Sequence, residues 1–406
     1  MGTFILLAWR NLWRNRHRTL ITTASVFFAV ILVLFIRSMQ IGAYDHMITT
    51  TLQIHTGFIQ IQGEDFQETR SLDESMAFEE GMLREVASVR GVTDVVPRIE
   101  SFALASSQDR TRGVMLTGID PDAENKMNNL SRRLVEGSYL DTNSQAVLIA
   151  QGVAEYLRAQ VGDTLIFLGQ GFYGMSAAGA FVINGIVDLP LPDLQNSMVY
   201  TTLDNAQWFY SMPGRVTSVA LMIDDPDRMD GIAQNLRGMF TDGYEVITWP
   251  EILPELVQII ELDNAQGIIM LGILYMVIAF GVFGTVMMMM AERRREFAVM
   301  ISIGMNHLRV SVMVLLETLV IGILGTITGI VASVPLLFYM KGNPIELTGT
   351  AAEAMREFGW DPLLPFAVEF PMFLNQGMVV MAISVVACLY PIYSINKIRL
   401  SDELRG

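Results

Sequence analysis

TLITTASVFFAVILVLFI, residues 19–36, runs for eighteen residues without a charge. The hydrocarbon core of a bilayer is ~30 Å thick and takes about 20 apolar helical residues to cross, so this run reads as a membrane span. Arg10, Arg14, Arg16 and Arg18 precede it with no acid among them. The positive-inside rule puts that end in the cytoplasm. No small-x-small cleavage site follows before the polar SMQIGAYDHM (38–47), which argues for an anchor and against a removed signal peptide.

Three further apolar stretches, 267–290, 310–340 and 372–393, are also long enough to span. Four spans would return the chain to the side on which it started. The loop charges agree with this. Segment 291–309 carries Arg293, Arg294, Arg295 and Arg309 against Glu292 and Glu296, and segment 394–406 carries Lys397, Arg399 and Arg405 against Asp402 and Glu403. Segment 341–371 has Lys341 and Arg356 against five acids, as suits the opposite face.

Of the 406 residues, 51% are hydrophobic and 17% charged, with a mean hydropathy of +0.40, which excludes a disordered chain. Residues 42–266 hold 32 Asp/Glu and 13 Lys/Arg (13 − 32 = −19), leaving 14 basic and 10 acidic residues (+4) elsewhere, in accord with the total of −15. So acidic a polar region would repel phosphate and excludes a nucleic-acid partner. The single cysteine, Cys388, lies in an apolar run, and His17, His46, His55 and His307 lack HxxxH spacing, so neither a disulfide nor a metal site is expected. None of the three lysines, Lys126, Lys341 and Lys397, follows a glycine. A P-loop needs that step, so the chain is not itself an ATPase. There is no GxSxG or HExxH, and Asp224 and Asp225 are sequence neighbours at a turn. The chain is therefore expected to be non-catalytic, with no cofactor of its own.

The fold class is accordingly an α-helical membrane protein with four transmembrane helices and a large mixed α/β extracytoplasmic domain, residues 42–266. Strand patterns recur at 57–63, 101–107, 112–119, 164–169, 181–187 and 218–223, and helical periodicity at 75–90, 152–160 and 225–240. The turn-rich GSYLDTNSQ (137–145) reads as a seam, with a second lobe at about 137–215 inserted into the first.

The segment AERRREFAVMISIGMNHLRV (291–310) carries most of the functional signal. Charged residues give way to Phe297, Val299, Met300 and Ile303, and Gly304 stops the helix. A short amphipathic helix between two spans suits insertion into a groove on a cytoplasmic partner; a positive-inside anchor in the lipid headgroups is the alternative. On the third span, Gly322, Gly325 and Gly329 include a GxxxG step that allows close helix packing. Glu317, about two turns inside the same span, is expected to pair or stay hydrated.

ERRREFAVMISIGM (292–305) resembles the coupling segment of the type VII ABC transporter permeases, the group of MacB, FtsX and the Lol lipoprotein-release permeases, written E-[KR]-x-[RG]-E-[IVF]-x-[IV]-x-x-x-x-G. WRNLWRNRHRTLITTASVFFAV (9–30) is similar to that family's cytoplasmic amphipathic helix, here 1–18, and its first span, 19–41. HTGFIQIQG (55–63) resembles its first outer strand, and EGSYL (136–140) with VLIAQGVAEYLRAQVGDTL (147–165) its second lobe. TWPEILPELVQIIELDNAQGIIM (248–270) is most similar to the Lol-type approach to the second span, and YPIYSINKIRLSDELRG (390–406) to the closing tail, with Asp402, Glu403, Leu404 and Arg405 in its last places.

This resemblance implies a two-lobed MacB-like periplasmic core and a bacterial inner-membrane location with both termini cytoplasmic. No ATPase domain precedes the first span in this sequence, so a separate LolD-like ABC ATPase dimer is expected to bind ATP and Mg²⁺ and to grip Glu292, Arg293, Arg294, Arg295, Glu296, Phe297, Val299, Met300, Ile303 and Gly304. A second permease chain, identical or homologous, would pair with this one. A lipoprotein or similar lipidated substrate would enter from the outer leaflet against Phe35, Met39, Met47, Met270, Ile273 and Leu274, among membrane lipids. LGQGFYGMSAAGA (168–180) lacks the proline of the family's chaperone-docking hook, but its glycines with Phe172, Tyr173 and Met175 suit a flexible, sticky loop on which a periplasmic carrier or adaptor would dock; an ordinary hairpin tip is the alternative. MacB-like efflux of peptides or drugs and an FtsX-like scaffold controlling a cell-wall hydrolase are the alternative roles within the resemblance.

Overall fold

Four long apolar helices anchor the chain. A computed structural model describes residues 16–142, 144–241, 243–357 and 362–396. The basic stretch ahead of Arg16 and the closing tail with Asp402, Glu403, Leu404 and Arg405 lie outside the described residues. The first span belongs to a helix over Arg16–Thr51, the second to Pro254–Ser302, the third to His307–Gly342, and the fourth to Phe370–Ala387, followed by Leu389–Asn396.

Three of these helices outrun the spans read from sequence. At 1.5 Å per residue the 49-residue second helix is about 74 Å long, more than twice the bilayer core. The first helix continues past residue 41 to Thr51 and a π turn at Leu52–Thr56, and the second begins at Pro254, well before 267. Met, Ala, Glu and Arg all have high helix propensity, so nothing in MMMMAERRREFA (287–298) breaks the helix where it leaves the apolar run. The expected separate helix over 291–309 is therefore corrected: its residues to Ser302 complete the second-span helix.

The chain divides into two compact units. The first holds the described residues up to His46 together with Ile259–Glu346 and those from Leu363 onward. Its core is formed by side chains such as Val26, Val30, Val282, Val286, Phe297 and Val314. Small residues set the helix spacing here. A Cβ on Gly325 would stand 2.7 Å from Val26, one on Gly329 2.9 Å from Val30, and one on Gly322 2.6 Å from the Ser384 hydroxyl. The third span thus approaches the first through Gly325 and Gly329 and the fourth through Gly322, as close as a missing side chain permits.

The second unit comprises Met47–Gln258 and Leu347–Pro362. Its main sheet has ten strands among the described residues: β1 (Ile59–Gly63), β2 (Val92–Ser107), β3 (Arg110–Ile119), β4 (Leu134–Gly137), β5 (Ala146–Ala150), β6 (Thr164–Gln170), β7 (Ser176–Val187), β8 (Met198–Thr202), β9 (Ser218–Ile223) and β10 (Tyr244–Thr248). They run in the order β10-β1-β9-β2-β3-β8-β5-β7-β4, with β6 bridging β2 and β7. The sixteen-residue β2 makes this possible. Its first half pairs with β9, its second half pairs with β6 on the same edge, and β3 occupies the other edge. The pairings β2–β3–β8–β5–β7–β6–β2 therefore close a ring of six strands. A closed ring leaves no free edge. The inserted segment that contains β4 to β8 is joined to the rest by ladders on two sides and shares one continuous hydrophobic core with it.

Candidate functional site

The junction between the second and third spans is only four residues long, Ile303–Asn306. Gly304 takes φ +102°, a left-handed value that glycine tolerates. Its N–H donates to the Ile301 carbonyl and that of Met305 to the Met300 carbonyl, both at 3.0 Å, closing the helix with a Schellman motif. The Asn306 side chain then caps the third span, accepting from the Leu308 N–H at 3.1 Å.

Behind this turn the end of the second-span helix is pinned to the third. Arg293 donates from Nη1 to both oxygens of Glu317, at 2.6 and 2.9 Å, and from Nε to Glu296 at 3.1 Å; its guanidinium lies 5.1 Å from the Phe297 ring centre. Arg293, Phe297 and Glu317 are all buried. Arg293 is the partner that Glu317 required. Of the ten residues expected to face a partner, Arg293 and Phe297 turn into the bundle instead. Glu292, Arg294, Arg295, Glu296, Val299, Ile303 and Gly304 are exposed and Met300 is half-buried. Val299, 41% exposed, and Ile303, 82% exposed, stand four residues apart on one helical face. The result is an apolar ridge beside Arg294 and Arg295, carried on a helix end that an ion pair holds in place.

The six residues expected around a lipid chain have diverse settings. Phe35 packs on Phe366 with ring centres 5.0 Å apart, and Met39 is half-buried against the same core. Met270 and Ile273 are more than half exposed, Leu274 is half-buried, and Met47 is buried at the start of the second unit. An apolar groove of about 680 Å³ is present elsewhere, between the third and fourth spans, and none of the six residues lines it.

Sequence reading missed a polar network joining the first and second spans near residues 37–44 and 263–264. Arg37 donates to Gln40 (2.7 Å) and Asn264 (2.8 Å), Gln40 to the Tyr44 hydroxyl (2.8 Å), and Tyr44 to Asp263 (2.6 Å). The interval of three and four residues along 37, 40 and 44 is the one signal that could have found it.

The segment 168–180 forms the β6–β7 hairpin, in which Gln170 pairs with Ser176 across a five-residue tip. The tip is tied down on one side. The Tyr173 N–H donates to Asp73 at 2.6 Å, and Phe172 lies under the Arg215 guanidinium, 4.8 Å from its ring centre. Tyr173 (76% exposed) and Met175 (57% exposed) project from it. Of the two readings of this stretch, the structure takes the hairpin tip.

A buried charge cluster fixes the end of the first long helix within the second unit. Arg98 on β2 donates to both oxygens of Glu124, at 2.7 and 2.8 Å, and to the carbonyl of His55 in the π turn. Asn128 donates to Glu124 (2.6 Å) and the Ile54 carbonyl (3.4 Å). Two terminal carbonyls of the helix thereby gain donors, one of them cationic, where the helix dipole favours positive charge. Burial alone would depress the Arg98 pKa, but the carboxylates of Glu124 and Glu100 outweigh it and raise it.

The family model "MacB-like periplasmic core domain" matches residues 19–239, and "FtsX-like permease C-terminal" matches 268–400. The chain is 24% identical over 323 residues to the lipoprotein-releasing system transmembrane protein LolC of Xylella fastidiosa, covering 77% of this chain and 78% of that protein. To LolC of Neisseria meningitidis it is 23% identical, covering 80% of each, and to LolE of Haemophilus influenzae 20% identical, covering 80% of this chain and 79% of that protein. Among solved structures, the periplasmic region of MacB from Actinobacillus actinomycetemcomitans is 13% identical over 51% of this chain and 94% of that one, with a TM-score of 0.36. The extracellular domain of the ABC-type transporter YknZ from Gram-positive bacteria is 16% identical over 48% of this chain and 100% of that one, with a TM-score of 0.34.

Proposed function

We propose, from the premise that this chain belongs to the type VII ABC transporter permeases with a MacB-like periplasmic core domain and an FtsX-like C-terminal region, that it extracts lipoproteins or similar lipidated molecules from the outer leaflet of the inner membrane. In this reading both termini are cytoplasmic and residues 42–266 are periplasmic. Energy comes from a separate LolD-like ATPase dimer, which binds ATP and Mg²⁺, and a second permease chain completes the core. A periplasmic carrier or adaptor receives the substrate.

The observation that carries the reading is the ridge of Val299 and Ile303. It lies at one end of a helix that continues unbroken to Pro254, so a push on the ridge is delivered along about 74 Å of helix. The Arg293–Glu317 pair keeps the end from yielding. The relatives named for lipoprotein release supply the substrate class.

The test is co-purification and ATP hydrolysis with the cognate ATPase. Ile303→Asp with Val299→Asp, both on the exposed face, abolishes ATPase binding and stimulated hydrolysis while leaving expression intact; Glu296→Lys with Gly304→Trp does the same. Unchanged hydrolysis in both double variants would sink the coupling assignment. Lipoprotein sorting that continues normally after depletion of the protein would sink the substrate.

A further inference from the structure

The apolar groove between the third and fourth spans has no part in this reading. Its walls are Ile323, Ile327 and Ile330 on the third span and Phe373, Leu374 and Met378 on the fourth. Gly377 opens its width, since a Cβ there would meet nothing nearer than the Thr326 methyl at 4.0 Å. Thr326 is the sole polar side chain on the wall among the described residues, and no charge is present. The site can therefore grip a chain but cannot read a headgroup.

Its dimensions choose among occupants. Along the fourth span the lining runs from Phe370 to Met381, eleven steps or about 16 Å, and along the third from Ile323 to Ile330, seven steps or about 10 Å. A membrane-spanning helix of a partner runs the full ~30 Å of the hydrocarbon core and would extend well beyond a groove of this length. The longer dimension matches half of the ~30 Å hydrocarbon core, the depth of one leaflet. The groove also begins at Phe370, the first residue of the fourth-span helix, and ends in mid-span.

We infer that this groove holds one acyl chain of a bilayer phospholipid, drawn from the leaflet that borders the connection between the third and fourth spans. Met378 and Met381 adapt to the chain's bends. The bound lipid completes the packing of these two spans on their outer side, a role separate from substrate extraction and independent of the lipoprotein reading.

The experiment uses the full chain in vesicles containing a phosphatidylethanolamine with a photoactivatable acyl chain, followed by mapping of the labelled peptides. Labelling is expected to concentrate on 323–330 and 370–381. Gly377→Leu, whose first added atom clears Thr326 while the rest fills the trough, lowers it about tenfold, the loss of a few carbons' packing contacts. Gly377→Ala gives a smaller reduction and guards against misfolding of the larger variant. Gly272→Leu on the exposed face of the second span, where a Cβ meets nothing, leaves labelling unchanged. A phosphatidylglycerol probe labels equally. Even labelling of all four spans, or indifference to both Gly377 substitutions, would overturn the inference. Capture of a chain-labelled lipoprotein in place of phospholipid would assign the groove to substrate and overturn it as well.

Discussion

Replacing Arg98 by methionine isolates what the buried cluster does. The side chain is fully buried and its two bonds to Glu124 are 2.7 and 2.8 Å, so Arg98→Met strands the carboxylates of Glu124 and Glu100 away from water. Breaking one side of a buried pair costs about 3–5 kcal/mol, and no solvent reaches these groups to screen it. At ~2–4 °C per kcal/mol for a unit of this size, the thermal midpoint should fall by roughly 6–20 °C. Arg98→Met with Glu124→Leu removes that pair together and should recover part of the loss, while Glu100 stays without its guanidinium. Full recovery is not expected, because the Asn128 amide and the His55 carbonyl lose partners at ~1–3 kcal/mol each. The assay is a double-mutant cycle on the full chain in detergent, read by the fluorescence of Trp208 and Trp249 in the same unit. Additive losses, or a shift below about 3 °C in the single variant, would refute the view that Arg98 and Glu124 stabilise each other.

Burial pushes the hydroxyl pKa of both Tyr200 and Tyr210 well up. The unfolded chain then ionises first, so stability holds below pH ~10 and drops by about 1.4 kcal/mol per pH unit for each tyrosine above it; the tyrosinate absorbance of these two side chains should appear only as the domain unfolds, as a step separate from the earlier ionisation of exposed tyrosines. Arg293→Met takes from Glu317 the guanidinium that donates to both its oxygens and should lower detergent stability by ~3–5 kcal/mol, with part of the loss restored by adding Glu317→Leu; equal stability of wild type and single variant would show that the pair does not hold the helix end. Gly325→Val brings Cβ within 2.7 Å of Val26 and should cost ~1–3 kcal/mol by overpacking, relieved by Val26→Ala on thermal unfolding.

How far each feature was legible depended on the range of the interactions behind it. The spans followed from local hydropathy, and the strands at 57–63, 101–107, 112–119, 164–169, 181–187 and 218–223 from alternation. AVLIA (146–150) and MVYTT (198–202) form β5 and β8, both buried along their whole length, and uniform burial erases the alternation on which a strand reading relies. The charges at 292–296 end the apolar run, yet Glu and Arg favour the helix as strongly as the residues before them, so the helix outlasts the hydropathy signal. Its two faces separated only when Arg293 met Glu317, 24 residues away on another helix.

Sequence alone determined the apolar spans, the acidic mixed α/β domain between the first and second of them, and the run of alternating charge and apolar residues at 292–304. Each of these depends on residues close together in the chain or on their sum. Tertiary structure alone decided the closure of six strands through the two-faced edge of β2, the burial of Arg98 on Glu124, the inward turn of Arg293 and Phe297, and the groove beside Gly377. Those features arise where residues distant in sequence share one space, and no local pattern encodes which of them will meet.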